Sequence, residues 1–140
     1  MKKTLTILLF LPFLYSCQKD NSTNKPVEQI GPIVGKWNYK SERYQVFDKD
    51  GTLIEDHTRT DNPGDIYFLY NADGTASAHS FEDEVKFTYT YSKGVLIDKL
   101  PNGQLTWTVT VSGKSLTKHE EYTAIGTLKK TIHDEYLEKQ

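Results

Sequence analysis

Two short runs in the last third of the chain look like metal chemistry when read in one dimension: His119-Glu120-Glu121 and His133-Asp134-Glu135. Imidazole nitrogen together with carboxylate oxygen suits a divalent transition ion. Ser115-Leu116-Thr117-Lys118 matches Ser-x-x-Lys, a hydroxyl nucleophile with a basic neighbour. Asp48-Lys49-Asp50-Gly51 resembles the start of a calcium loop, but the third ligand and the register of the closing Glu are missing. Whether any of these can act depends on the element that carries it. Neighbouring side chains on a strand point to opposite faces, so on strands neither His-acid trio converges on one ion, and no metal site is expected. Ser-x-x-Lys works on a helix, where i and i+3 meet; on a strand Ser115 and Lys118 face apart. Asp48 to Gly51 then reads as a hairpin turn. The chain has no Gly-x-Ser-x-Gly and no phosphate-cradling glycine loop, so no catalytic residue is assigned and no cofactor is expected. A dyad of His57 or His79 with a distant acid stays open, but the reading is of a protein that is not an enzyme.

The elements that must position these residues are strands. Val85, Phe87, Tyr89 and Tyr91 alternate with Glu84, Lys86, Thr88, Thr90 and Ser92. Leu105, Trp107, Val109 and Val111 alternate with Thr106, Thr108 and Thr110, and Ile66, Phe68 and Tyr70 make a shorter run. A period of two is the mark of a half-buried strand, and Thr, Tyr, Val and Trp pack well on a pleated surface. Asp50-Gly51 and Asn71-Ala72-Asp73-Gly74 punctuate these runs, as do Lys93-Gly94, Asn102-Gly103, Gly113 and Gly126. Glycine supplies the positive φ of a tight hairpin, and Asn or Asp bonds its own backbone. The expected fold is all-β: about eight or nine short strands in an antiparallel up-and-down barrel, since closure removes exposed edges. A hairpin about Ala124-Ile125 would set Glu120 opposite Lys129.

Cys17 is the sole cysteine, and it ends Leu14-Tyr15-Ser16-Cys17. Lys2 and Lys3 precede an apolar run from Thr4 to Leu14 that is shorter than the roughly 18 residues a membrane span needs. The pattern resembles the leader and lipobox of bacterial lipoproteins. That resemblance implies a signal peptide over residues 1–16, a diacylglyceryl thioether on Cys17 and acylation of the new amino terminus with a palmitate-type chain. Two or more chains make a lasting anchor, so Cys17 would join the protein to a membrane and leave the folded part without a thiol. Gln18-Lys19-Asp20 resembles in part the export signal of Bacteroidetes lipoproteins, which implies the outer face of the outer membrane. Residues 17–29 read as the lipidated cysteine and a polar tether, and residues 30–140 as one domain. Loss of Lys2 and Lys3 with the leader takes the formal charge from −2 to −4, which argues against a nucleic-acid partner.

Ile33-Val34-Gly35-Lys36-Trp37 opens the domain, with Asp73-Gly74-Thr75, Trp107-Thr108-Val109 and Ser115-Leu116-Thr117 following in order. This pattern resembles the lipocalin-like domains of Bacteroidetes lipoproteins. The resemblance implies a β-barrel closed at one end by the tryptophan of Gly35-x-Trp37, with a basic residue of the last strand over its ring. Lys130, on a face with Leu128 and Ile132, is the candidate; the family usually has Arg, and no Arg follows Arg59.

If Trp37 points inward, strand parity turns Tyr39, Ser41 and Arg43 inward too. Arg43 would then offer a bidentate fork to a fatty acid or similar carboxylate. The other reading is a β-bulge that flips the parity, or an acid that pairs with Arg43. Tyr39, Tyr89 and Tyr91 join Arg43 as candidate ligand contacts, or else they are an aromatic core. The functional expectation is an outer-membrane-anchored barrel that binds a small hydrophobic or amphipathic ligand. The alternative is a protein-interaction module, such as an accessory subunit of an outer-membrane complex or an inhibitor-type barrel. An open interior favours the first, and a filled interior with an apolar patch outside favours the second.

Overall fold

The fold comes from a computed structural model that describes residues 31–140 other than 63, 124, 125 and 127. Cys17, the leader and the whole of the tether lie outside the described residues. Nine strands form, in chain order: β1 Gly35–Phe47, β2 Leu53–Thr60, β3 Ile66–Tyr70, β4 Thr75–Ser80, β5 Asp83–Ser92, β6 Val95–Leu100, β7 Gly103–Ser112, β8 Ser115–Thr123 and β9 Lys130–Lys139. All pairings are antiparallel between neighbours, and β9 returns to pair with β1. The result is a closed eight-strand barrel with one strand outside it. The first half of β1 pairs with β3 and its second half with β2, which leaves the barrel wall and is exposed along its whole length. Edge strand β2 carries Glu55, Asp56, His57 and Arg59, charges that discourage pairing with another chain.

The turn chemistry acts as the sequence demands. Asp48 Oδ1 accepts hydrogen bonds of 2.9 Å from the amides of both Asp50 and Thr52, so the calcium-like run is a hairpin. Asp73 Oδ1 accepts from the Thr75 amide and hydroxyl at 2.9 and 2.6 Å.

The two ends of the barrel differ. Hairpins β3–β4, β5–β6 and β7–β8 lie at the end where β1 starts, and this end is plugged. Ile33 and Trp37 are fully buried there, and the indole Nε1 donates to the Ile33 carbonyl at 2.6 Å. Tyr70, Tyr89, Leu96, Leu116 and Leu137 complete the plug. The Tyr70 ring meets the Tyr89 ring edge-on at 4.9 Å between centroids. Burial of each such side chain contributes roughly 1.5–3 kcal/mol. At the far end, hairpins β4–β5, β6–β7 and β8–β9 surround a much wetter rim.

The β8–β9 hairpin has a longer loop than a turn at Ala124-Ile125 would give. Glu120 pairs with His133, not with Lys129. A longer loop moves the register, and with an even shift the faces are kept.

Candidate functional site

Along β8 and β9 the inward residues are Leu116, Lys118, Glu120 and Leu137, Glu135, His133. The interior therefore changes from apolar to ionic as the strands run toward the far end. Lys118 is 1% exposed, although lysine is almost never buried without partners. Its ammonium lies 3.2 Å from Glu135 Oε2 and 3.8 Å from Asp98 Oδ2. It also stands 3.8 Å from the centre of the Phe68 ring and 5.2 Å from that of Trp107. Burial alone would discharge Lys118; Tyr70, Glu135 and Asp98 outweigh it and hold its pKa above the ordinary lysine range. Burial raises the Asp98 carboxyl above its usual range, with Lys118 opposing and Glu135 adding. Burial likewise raises Tyr70, whose hydroxyl donates to Asp98 at 3.4 Å.

One layer further out, Glu42 of β1 comes opposite Glu135, and Tyr44 comes opposite His133. His133 Nε2 lies 3.3 Å from Glu42 Oε2, without the angle a hydrogen bond needs. The ring is held by Tyr44, stacked on it at 4.0 Å and 11°, and by the edge of Trp107 at 5.4 Å. Arg59 of β2 approaches Glu42 from the solvent side at 3.7 Å. Tyr39 sits beneath, its phenol raised by burial first and then by Glu42 and Glu135. Among the described residues, the buried Tyr39 hydroxyl, Asp98 Oδ1, Trp107 Nε1 and His133 Nε2 make no hydrogen bond. One ammonium thus faces two carboxyls inside the barrel, and a third, Glu42, lies between His133 and Arg59.

The residues singled out from sequence take several different places. Gly35 and Trp37 form the plug, and the cation over Trp37 is Lys139, 5.2 Å from the ring centre. Lys130 does not do this: it pairs across from Phe47 at the far end and binds Glu121 at 2.7 Å. The reason is polarity, since β9 runs antiparallel to β1 and its last residues, not its first, lie beside Trp37. Gly35 serves that contact. A Cβ there would stand 2.8 Å from Lys139 Cε, at a φ of +132° that side-chain-bearing residues rarely adopt.

Arg43 does not face the interior. The β1–β9 register slips between Tyr39 and Ser41, so Lys40 is an extra residue and the parity flips. Arg43 then lies outside, bidentate to Asp56 at 2.9 and 2.6 Å. That contact raises the guanidinium and lowers the carboxyl. Both alternatives weighed for Arg43 therefore occur together. Tyr39, Tyr89 and Tyr91 do face inward and are buried. The Tyr89 hydroxyl donates to the Asn71 carbonyl at 2.7 Å, and burial pushes its pKa up to about 12.

On the outer face, His79 Nε2 is 2.9 Å from Ser77 Oγ and 3.4 Å from Glu84 Oε1. Both contacts fall on one nitrogen, whereas a relay needs the acid on the other. His57 is exposed beside Glu55 at 3.7 Å. His119 Nδ1 pairs with Asp134 Oδ1 at 2.7 Å, facing away from the interior. Among the described residues, clefts of about 310 to 390 Å³ at the β1–β2 turn, along β4 and β5 and at the β6–β7 turn are not walled by Trp37, Tyr39, Tyr70 or Trp107.

Sequence reasoning tested each His-acid trio as adjacent residues and missed the spacing that matters. His133 and Glu135 are two apart and share a face on a strand. Glu42 joins them only because of the bulge at Lys40. No family model, curated protein or solved structure matches this chain, so its likeness to lipocalins rests on the barrel and the Gly35-x-Trp37 plug.

Proposed function

We propose that this protein is a non-catalytic recognition module, tethered to the outer membrane through lipid on Cys17, that binds a protein partner with the far end of its barrel. One observation carries the reading. Among the described residues, nine large apolar side chains are exposed, and seven of them belong to the far end: Leu53, Ile54, Phe81, Val85, Leu105, Tyr122 and Leu128. Phe81 and Leu128 are the most exposed, at 73% and 69%. Apolar side chains gathered at a rim are a usual mark of an interaction surface. The chain enters the barrel at the opposite end, beside Ile33, so a tether from Cys17 would leave this rim pointing away from the membrane.

The filled interior weighs against the reading as a carrier of acyl chains. Its lower half is packed aromatic rings, and its upper half holds the buried ionic groups Lys118, Asp98 and Glu135, which line no apolar chamber for such a chain. The test is photocrosslinking in cells that make the full chain, with a photoreactive amino acid at Leu128 or, as a control, at Lys114 of the β7–β8 turn. A discrete protein adduct from the first position and none from the second is expected. Lipid adducts at Leu128, or equal labelling from both positions, would overturn it.

A further inference from the structure

We propose that Glu42, His133 and Glu135 form a binding site for a divalent transition ion of the Zn²⁺ type, just inside the far end of the barrel. One ligand atom from each residue lies within 4.8 Å of the others. His133 is 7% exposed, and its Nε2 points into the cluster without a hydrogen bond. A charged ring would aim an N–H at Glu42 here, but the angle fails. The nitrogen is better placed as a lone-pair donor. An imidazole with two carboxylates is a ligand set for zinc or its neighbours, whereas calcium takes six to eight oxygens.

Geometry and charge both allow it. Ligand atoms about 2.0–2.2 Å from one ion stand roughly 3.3–3.5 Å apart. Glu42 and His133 already meet that spacing at 3.3 Å, and a Glu135 carboxylate oxygen lies within 4.8 Å of both. Lys118 lies 3.2 Å from Glu135 Oε2, and that buried oxygen makes no hydrogen bond. The side chains of Glu42 and Glu135 are 16% and 13% exposed, so an ion can enter from the rim. Two of the three ligand groups are carboxylates, and the cations near them are Arg59, 3.7 Å from Glu42, and Lys118, 3.2 Å from Glu135. Tyr44 and Trp107 hold the imidazole plane, a role that outer groups commonly play around metals.

The test uses the full chain, purified in detergent and stripped with a chelator. Zn²⁺ is titrated by calorimetry, and Co²⁺ by visible absorption. One equivalent of each is expected, with visible Co²⁺ bands of mixed nitrogen and oxygen ligation and a raised Tm. Glu42→Gln and His133→Gln should each weaken binding by more than the roughly 10- to 100-fold typical of an outer-shell partner. His57→Gln, at an exposed histidine, should bind as the parent does. If His133→Gln fails to fold, Mn²⁺ added to the parent reads the same site by broadening the indole signal of Trp107 before that of Trp37. No saturable uptake, uptake unchanged in Glu42→Gln, loss in His57→Gln, or equal broadening of both indoles would overturn the proposal.

Discussion

The two ends of this barrel are built from the same strands and obey opposite rules. At the Trp37 end the inward side chains pack as one apolar cluster, and the indole, the Ile33 carbonyl and Lys139 close the bottom. At the far end the inward side chains are Lys118, Glu135, Glu42 and His133, ringed by polar atoms that lack hydrogen bonds and capped by exposed apolar residues. A fold stabilised at one end can carry unsatisfied chemistry at the other. Buried polar groups cost stability unless paired. The plug end also holds a buried unpaired atom, Asn38 Oδ1, but the buried ionic groups Lys118, Glu135 and His133 gather toward the far end.

That contrast can be broken at its strongest point first. Trp37→Ala should destabilise the fold by about 3–5 kcal/mol, through a cavity that the plug cannot collapse to fill. Thermal unfolding followed by circular dichroism reads this, and a loss below about 1 kcal/mol would mean the plug is not the keystone.

Lys118→Met tests the other half. It leaves Asp98 and Glu135 facing each other without a cation and should cost about 3 kcal/mol, since one partner of a buried ionic group is removed. Adding Asp98→Leu should recover most of that cost, because an apolar replacement needs no counter-ion. Urea unfolding of the single and double variants decides it, and a double variant no more stable than the single would contradict the ionic account.

A smaller effect belongs to the plug. Tyr89→Phe removes the bond to Asn71 and should cost about 1 kcal/mol at neutral pH. The native hydroxyl is held up to about 12, against 10.0 in the unfolded chain. The native state thus keeps its proton more tightly, so this contribution is complete below pH 10 and is lost as the pH climbs to about 12. The Tm difference between the parent and Tyr89→Phe should shrink across that window. Arg43→Ala should change least. Its ion pair with Asp56 is exposed, and such pairs are screened by solvent. A Tm indistinguishable from the parent's is expected, and a marked drop would place Arg43 back in the structural frame.

Much of the fold was legible because strands announce themselves by alternation and glycine-marked turns. Glu84 to Ser92 and Leu105 to Val111 needed only their period of two, and Asp73-Gly74 only its turn chemistry. The site was less legible because it depends on register. A single extra residue at Lys40 exchanges Arg43 for Glu42 on the inner face. A hairpin loop longer than its sequence suggests moves Glu120 from Lys129 to His133. Lys139 rather than Lys130 covers Trp37 for a related reason, since the pairing partner of a residue is fixed by strand direction and length together. Composition carries none of this information. Lys118 could be read as facing away from Ser115, yet nothing local marks it as buried.

The central claim is that the interior is filled and ionic, so that binding happens at the rim and not in a chamber. Native mass spectrometry of the protein, purified and then incubated with a mixture of fatty acids and phospholipids, tests it most directly. The account predicts a folded species at the mass of the protein with its covalent lipid, with no further lipid retained. A stoichiometric lipid complex that survives mild activation in the parent and is lost in Lys118→Met would contradict it.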